Sequence, residues 1–359
     1  MSNSQTSFRT CQGTAKYIAL TLLLALPANA QVSEQANPAQ ADELPIALEV
    51  FNGPKPKNLD PPRYPRNEAV LGHEGWVHLR LMVDPQGNPY EVVVSKSSGN
   101  EAFEKAAMKG AQALTFEPAT IAGKPIHAAY EYKAFFDVTD ADGARKPFVR
   151  RYRDLSKAIA AGDRQRADED FAKLKVQNLY EEAYYNLAKY SYCRKWGNES
   201  QQLAALRLAI AEERYARFLP KQLFVTALQA LLPLELKGKN FADAMKTWEK
   251  LKSNDVDAAF IAAWQEIIDD IVLLRKDDRS YSVPGRMGKG SSWFYGLFKS
   301  RFRLVVSNGR VSEIKLRCDK QYVLFRYEPD IQYRVAEKFG ECGMQLIGEP
   351  GTTFELIQS

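Results

Sequence analysis

The spacing of apolar residues changes twice along this chain of 359 residues. Between residues 75 and 138, apolar and polar residues alternate around one helix-like stretch. From about 152 to 274 the apolar residues recur at helical spacing, and from 281 the alternation returns. Period two buries one face of a strand, whereas a period near 3.6 buries one stripe of a helix. The sequence therefore predicts an α+β multidomain protein with a β-rich, a helical and a second β-rich part.

The first 30 residues have the features of an export signal. Arg9 and Lys16 precede the uncharged run "YIALTLLLALPANA", whose Ala28–Ala30 matches the pattern that a signal peptidase reads. Its apolar core is far shorter than the roughly 20 residues that a membrane-spanning helix needs. We predict a signal peptide over residues 1–30 and a periplasmic mature chain that begins at Gln31. An uncleaved anchor in the inner membrane is the alternative.

Export changes how the four cysteines are interpreted. Cys11 leaves with the signal, and an oxidising compartment permits a disulfide among the others. Cys318 and Cys342 lie in the same C-terminal region. A disulfide that closes the loop between them would stabilise the folded state by roughly 3 kcal/mol. Cys193 lies in an apolar helical pattern and is interpreted as a buried thiol. The three histidines lack ligand spacing with cysteines or carboxylates, so no metal and no cofactor is predicted.

Charge excludes one class of partner. Loss of the signal leaves 47 basic against 44 acidic residues, and both signs are mixed along the chain without a basic block. This pattern argues against nucleic-acid binding. The sequence also shows no set of histidine, acid and nucleophile and no carboxylate pair, so the chain is predicted not to be an enzyme.

A small domain is predicted over residues 61–140, after a polar, proline-rich linker over residues 31–60. The runs "GWVHLRLMVD" and "YEVVVS" predict two strands joined by the turn "DPQGNP". The stretch "SSGNEAFEKAAMKGAQAL" predicts a helix that is capped by Ser98 or Asn100. The alternating run "AAYEYKAFFDV" predicts a third strand. The order is β-β-α-β.

These segments carry a family resemblance. Tyr64-Pro65, "LGHEGWV", "VDPQGNP", "SSGNEAFEKAA", "FEPA" and "GKP" follow one another as in the C-terminal domain of TonB-type energy transducers. The chain resembles that family over roughly Pro61–Val138. The resemblance implies a role in TonB-dependent transport across the outer membrane. It also implies an extended segment of an outer-membrane TonB-dependent receptor, or of another envelope protein, as partner, and an inner-membrane energising complex as a further one.

The resemblance also directs attention to one strand. In the family, a strand of the domain pairs with the receptor segment, and the run from His127 to Val138 is the candidate edge strand here. Four residues flank or form this strand and are the predicted partner-binding residues: Tyr64, Pro65, Tyr130 and Tyr132.

The chain departs from the family in its layout. A family transducer keeps an N-terminal membrane helix and a long spacer, and carries its TonB domain at the C-terminus. Here the apolar run looks cleavable, and a lead-in of about 30 residues reaches at most about 100 Å. About 220 residues follow the domain. We therefore predict an energy transducer or an accessory adaptor, with a non-transducing periplasmic scaffold for an envelope assembly as the alternative.

Residues 150–278 are helical by pattern and contain a weak repeat. The segments "GDRQRADEDFAKL", "GNESQQLAALRLA" and "GKNFADAMKTWEKL" begin at Gly162, Gly197 and Gly238, which are 35 and 41 residues apart. Each has a turn glycine, a small residue and then a large apolar residue. This resembles degenerate tetratricopeptide repeats, although an unrelated antiparallel helical bundle would give the same spacing. Both alternatives predict stacked helix pairs that expose an interaction surface.

Residues 281–359 predict a small β domain, a sandwich or a barrel-like fold, stapled by Cys318 and Cys342. The run "RFRLVVSNGRVSEIKLRC" predicts two strands around Asn308-Gly309, a dipeptide typical of a two-residue hairpin. "QYVLFRYEP", "MQLIGE" and "TFELIQ" add shorter strands. Four aromatic residues near the start of this part are predicted to lie in its core: Trp293, Phe294, Tyr295 and Phe298.

Overall fold

A computed structural model describes residues 50–137, 143–211, 218–254 and 256–359 of the chain. The predicted signal peptide, its cleavage site at Ala30 and most of the predicted linker lie outside the described residues. The described ranges belong to one compact unit that extends from Glu49 to Ser359. Within these ranges, no helix combines the length and the apolar character that crossing a membrane requires.

The first part of the described chain contains the predicted strand–strand–helix–strand order. Its elements are β1 (Phe51–Asn52), β2 (Lys55–Pro56), α1 (Arg66–Leu71), β3 (Gly75–Val83), β4 (Pro89–Ser97), α2 (Glu101–Gln112), β5 (Phe116–Glu117), β6 (Ala119–Ile121), β7 (Lys124–Ile126) and β8 (Ala128–Phe136). An antiparallel sheet has the order β4-β3-β8, which makes β8 an edge strand. We call this the three-stranded sheet. Two smaller sheets have the orders β1-β6-β7 and β2-β5.

Alternation along β3 gives the three-stranded sheet its two faces. Val77, Leu79 and Leu81 are fully buried and pack in one core with Phe103 and Ala107 of α2. The small residues of α2 allow this helix to lie close to the sheet. The other face of the sheet is turned towards the rest of the protein.

The start of α2 distinguishes between the two predicted caps. Asn100 is the N-cap residue, and its side-chain oxygen accepts hydrogen bonds from the N–H groups of Ala102 and Phe103. The hydroxyl of Ser98 instead accepts from the N–H of Trp76 at 3.2 Å and so ties the end of β4 to β3. Asn100 is therefore the cap of α2, and Ser98 joins the end of β4 to β3.

The middle part is helical, as predicted. Its elements are α3 (Lys146–Ala161), α4 (Arg164–Lys173), α5 (Leu179–Trp196), α6 (Glu199–Ala209), α7 (Lys221–Lys237), α8 (Phe241–Lys252) and α9 (Ala258–Leu274). Consecutive helices contact one another from α3 to α4 and from α5 through to α9, and α3 also contacts α5. One core forms around Leu155 and Ala188, and a second forms around Leu228 and Trp248.

The three repeat glycines occupy equivalent places in these helices. Gly162, Gly197 and Gly238 are the C-cap residues of α3, α5 and α7, so each one ends a helix that the next helix follows closely. Ala167 of α4 and Ala244 of α8 are fully buried in the cores of their pairs. The repeated pattern therefore marks the turn inside successive helix pairs.

The last part is a β-sandwich. Its elements are β9 (Tyr281–Arg286), β10 (Ser292–Gly296), β11 (Arg301–Asn308), β12 (Val311–Cys318), β13 (Gln321–Arg326), β14 (Gln332–Arg334), β15 (Cys342–Gly348) and β16 (Thr353–Gln358). Two antiparallel sheets, ordered β14-β11-β16-β9 and β10-β15-β12-β13, share one apolar core. Of the aromatic residues predicted in that core, Tyr295 and Phe298 are buried and Trp293 packs against it, whereas Phe294 is 43% exposed.

The hairpin predicted around Asn308-Gly309 is wrong in its pairing. The two strands form, but β11 pairs with β14 and β16, whereas β12 pairs with β13 and β15. Gly309 has a φ of 82°, and a Cβ there would lie 2.4 Å from Oγ1 of Thr352. The two strands bury their apolar faces in one core from opposite sheets, so this turn is a corner of the sandwich. Local turn chemistry does not decide which strands pair.

A disulfide joins Cys318 to Cys342, and Cys193 is a buried free thiol. Cys318 ends β12 and Cys342 begins β15, and the two residues lie opposite each other in the ladder between these strands. The bridge therefore holds the ends of two neighbouring strands within one sheet of the sandwich.

Replacement of Cys318 and Cys342 by alanine should destabilise the sandwich by about 3 kcal/mol, because the unfolded chain regains the freedom of the closed loop. Hydrogen exchange of the purified protein should show lost protection in β12 and β15 before any loss in α7. The matched control is Cys193→Ala, which should keep the full response of the wild type to a reductant. Equal loss of protection in the helices and in the sandwich would contradict this prediction.

Candidate partner-binding site

The main chain of β8 alternates between its neighbour β3 and its outer side. In an antiparallel strand, the N–H and C=O of one residue point to the same side, and successive residues alternate. The N–H of Ala129 donates to the C=O of Asp319, outside the three-stranded sheet, at 3.2 Å. The register of β8 with β3 is continuous. The main-chain groups of Glu131 therefore also point outward, whereas those of Tyr130 and Tyr132 face β3.

A cleft of about 430 Å³ runs along the second half of β8. Residues 132–135 and Asp137 form one side of it, and residues of the lead-in segment and of the helical part form the other. The opposing residues are Leu59, Pro61, Pro62, Leu179 and Phe218. The cleft therefore lies beside an edge strand, where a further strand would pair.

The cleft is suited to an extended peptide. Six residues of extended chain, the length from Tyr132 to Asp137, span about 20 Å. Leu59 and Phe218 offer apolar contacts, and Lys133 and Asp137 offer charge of both signs. Across the described ranges, no three His, Cys, Asp or Glu side chains form a group that could hold a metal ion.

Tyr64 and Pro65, two of the predicted partner-binding residues, act inside the domain. The ring of Tyr64 lies edge-on to Phe103 and Phe136, with centroids 5.6 Å apart in both pairs. Its hydroxyl donates to the C=O of His73, and burial raises the pKa of Tyr64 to about 12. Pro65 is the N-cap residue of α1.

Tyr130 and Tyr132, the other two, hold β8 in place. Tyr130 packs edge-on to Phe116 at a centroid distance of 4.9 Å, and Tyr132 is only 6% exposed in the core beside α2. Burial raises the pKa of both phenols. Tyr132 also borders the cleft, and Tyr130 borders a separate cavity between the sheet and the sandwich.

Glu91 connects the three-stranded sheet to the sandwich. Its carboxylate accepts from Nη2 of Arg317 at 2.7 Å and from Nζ of Lys315 at 3.1 Å. The side chain of Arg317 is 5% exposed, and its Nη1 also donates to Gln345 at 2.8 Å. Burial lowers the pKa of Arg317, and the charge of Glu91 offsets part of that effect. We call these four residues the Glu91 latch.

Two further contacts lie beside the Glu91 latch. The N–H of Ala129 bonds Asp319, as described above, and the ring of Tyr90 packs edge-on to Tyr322 at 5.7 Å. Asp319 directly follows the disulfide residue Cys318. The sandwich therefore covers the start of β8, and the cleft lies beside its second half.

The helices contact the same domain from another side. The N–H of Glu74 donates to the C=O of Gln177 at 2.9 Å, and its carboxylate accepts from the N–H of Leu179 at 3.2 Å, where α5 begins. Trp76 and Glu182 line a narrow gap between the sheet and α5. Burial raises the pKa of Glu182 to about 7, and a hydrogen bond with Trp76 offsets part of the rise.

The domain is thus a three-stranded antiparallel sheet with one helix on its face and β8 at its edge. Residues 60–138 match the family described as the Gram-negative bacterial TonB protein C-terminal. These residues belong to the TonB C-terminal domain family, and the resemblance seen in the sequence is confirmed.

Curated relatives match the same region. The TonB protein of Xanthomonas campestris is 40% identical over 68 residues, which cover 19% of this chain and 30% of the relative. The tonB2 protein of Pseudomonas aeruginosa is 45% identical over 58 residues, 16% of this chain and 22% of the relative. The chain therefore spans less than a third of the length of these relatives. A TonB C-terminal domain of Pseudomonas aeruginosa, solved by solution NMR, is 26% identical with a TM-score of 0.22, over 25% of this chain and 90% of that one.

Replacement of Glu91 by alanine should lower the free energy of unfolding by about 3 kcal/mol, because Arg317 would stay buried and charged without its carboxylate. Urea unfolding of the purified protein measures the change. The control is Glu101→Ala. Glu101 pairs with Lys105 at 3.4 Å where the two side chains are 83% and 79% exposed, so the loss there should stay below about 1 kcal/mol. Similar losses in both variants would rule out a buried latch.

The pH dependence of the free energy of unfolding should reflect the titration of the Glu182 carboxyl group. Its folded-state pKa of about 7 lies above the ordinary value of 4.5, so the folded state binds this proton more tightly. Stability from this group is complete below the unfolded pKa and is lost as pH rises through 7. Between about pH 5 and about pH 8, the wild type should lose about 2 kcal/mol relative to Glu182→Gln.

Urea unfolding across that pH range tests the assignment to Glu182. Glu266→Gln, at an exposed position of α9, is the matched control and should keep the slope of the wild type. If Glu182→Gln keeps the same slope as the wild type, another group is responsible for it.

Proposed function

We propose that this chain is a periplasmic, non-enzymatic adaptor in TonB-dependent transport, exported by a signal that is cleaved before Gln31. Its TonB C-terminal domain would capture an extended segment of an outer-membrane receptor, or of another envelope protein, by strand addition to β8. The observation that carries this proposal is a domain of this family whose edge strand borders a cleft. Strand addition takes affinity from main-chain hydrogen bonds and selectivity from alternate side chains.

The outer side of β8 supports this mode of binding. The N–H and C=O of Glu131 point outward, and they bond no other described residue. Such groups are a template for a further strand. The exposed side chains of Glu131 and Lys133 alternate with the buried ones of Tyr132 and Ala134. Charges on an edge strand discourage indiscriminate pairing and leave the main chain accessible to a chosen peptide.

We also propose that the helix pairs form a degenerate tetratricopeptide-like array. The C-cap glycines of α3, α5 and α7 and the buried alanines of α4 and α8 support this assignment. Stacked pairs of this kind offer an extended surface to a second protein. In the adaptor, this surface would join the receptor segment to another envelope component, such as the inner-membrane energising complex.

A second candidate function is a non-transducing scaffold for an envelope assembly. The Glu91 latch and the contacts of Glu74 at α5 favour it, because they hold the TonB C-terminal domain against the sandwich and the helices. A domain on a flexible tether would search for a receptor more widely than one that is docked in this way. The two functions differ in the partner that β8 contacts in the cell.

Photo-crosslinking in living cells distinguishes these functions. A photoreactive amino acid in place of Lys133, beside the cleft, should capture an outer-membrane TonB-dependent receptor that mass spectrometry identifies. Captured proteins that include no such receptor would favour the scaffold.

Glu131→Pro should weaken binding of the captured receptor segment by at least about tenfold, because proline removes the outward N–H and cannot join a ladder. Calorimetry with a synthetic peptide of that segment measures the loss. Glu131→Gln keeps the main chain and should bind as the wild type does. Tyr132→Pro, one residue further on, removes a donor that faces β3 and should unfold the edge. A folded Glu131→Pro variant with unchanged affinity would show that strand addition at β8 is wrong.

A further inference from the structure

A cavity of about 730 Å³ lies where the three-stranded sheet, the helices and the sandwich meet. The sheet contributes its second face, α6 and the start of α8 form one wall, and β10 with the start of β15 forms another. Five cationic side chains line it: Arg80, Lys96, Arg207, Lys246 and Arg317. Four carboxylates also line the cavity, those of Glu131, Asp243, Asp319 and Glu341. The strand-addition proposal gives this group of charges no role.

Two of these cations are neutralised by carboxylates of the helices and the sandwich. Arg207 donates to Glu235 at 2.9 Å and to Asp243 at 2.6 Å, and Glu235 is itself buried. Lys246 lies 3.3 Å from the carboxylate of Glu341. These side chains form part of the wall, and their charge is already balanced. Arg317 is balanced in the same way within the Glu91 latch.

Arg80 and Lys96 differ from the other three. Among the described residues, neither side chain has a hydrogen-bond partner or an ion pair. The register of β3 with β4 places Lys96 opposite His78 and Arg80 opposite Val93, so both lie on the second face of the sheet. The guanidinium of Arg80 lies against the main chain of Gly343, where a Cβ would be 2.8 Å from Nη1. A glycine at this point of β15 gives the arginine its place in the cavity.

Lys96 lines the cavity and is also exposed to solvent, and its surroundings lower its pKa. Desolvation lowers the pKa of Lys96, and the positive charges of Arg207 and Arg80 act in the same direction. Asp243 and Glu131 act in the opposite direction, and the net effect is still a lowered pKa. Like charges that converge on one cavity repel one another, and a bound anion would relieve that repulsion.

We propose that this cavity binds a small molecule with a compact oxyanion group of about two negative charges, either a phosphate or a pair of carboxylates, with Arg80 and Lys96 as its ligands. Two N–H groups of a guanidinium match two oxygens of such a group, and an ammonium adds a point charge. The volume lies within the range of small-molecule sites. Leu203, Leu208 and Phe294 offer apolar surface to the remainder of the ligand.

Calorimetry with the purified mature protein tests this site. The probes are inorganic phosphate, sulfate and succinate, each at an ionic strength matched with chloride. At least one probe should bind, and phosphate and succinate as separate arms tell which oxyanion chemistry the cavity prefers. Lys96→Met and Arg80→Met should each weaken binding by about tenfold or more. The control Lys105→Met removes an exposed lysine of α2 and should leave the affinity unchanged.

An NMR titration gives a measurement on the wild type, so the test does not depend on the folding of Arg80→Met. The pKa of Lys96 should rise when the oxyanion binds, because an opposite charge favours the ammonium form. The proposal is overturned if none of the three probes binds, or if they bind with equal affinity to the wild type and to folded Lys96→Met. An unchanged pKa of Lys96 at saturating probe would overturn it as well.

Discussion

The buried contact between Glu91 and Arg317 decides how the parts of this protein lie together. Glu91 adopts a φ of 50° at an irregular place in the ladder of β3 and β4, and this conformation directs its carboxylate at the sandwich. Arg317 is nearly inaccessible to solvent, so the pair is strong only while both members are in place. The position of Asp319 next to the disulfide couples the contact at Ala129 to the same strand end. The contact between the domain and the sandwich thus combines a buried charge pair with a strand end that the disulfide holds.

This docking has a consequence for strand addition. An edge strand that is open along its full length is a hazard for aggregation, and proteins cover such edges in several ways. Here the sandwich occupies the start of β8 through Asp319, and the cleft borders its second half. A partner would therefore contact only a short stretch of the β8 main chain, beside the charged side chains of Lys133 and Asp137. Partial covering of the edge limits what can pair there.

The sequence predicted the parts of this arrangement that local physics controls. Alternation in "GWVHLRLMVD" and "AAYEYKAFFDV" gave strands with the expected buried faces, and the repeat glycines fell at helix ends. Prediction failed where pairing is not local. Asn308-Gly309 has the chemistry of a hairpin, but a shared core places its strands in different sheets. The Glu91 latch joins residues 226 positions apart, and no residue pattern in β4 or in β12 predicts this contact. The predicted tyrosines flank or form the edge strand, and that position alone does not show that Tyr64 and Tyr132 also pack against a core.

Docking of the TonB C-terminal domain would change the free energy of the proposed strand addition. When the edge strand is already fixed by β3, the core tyrosines and the Glu91 latch, a partner segment alone has to be ordered on binding. Less ordering entropy is then lost, which favours affinity. The reach of the domain is reduced in return, because its neighbours hold it in place. This balance would suit the proposed adaptor if another contact brought its partner close, and the proposal assigns that contact to the exposed faces of the helix pairs.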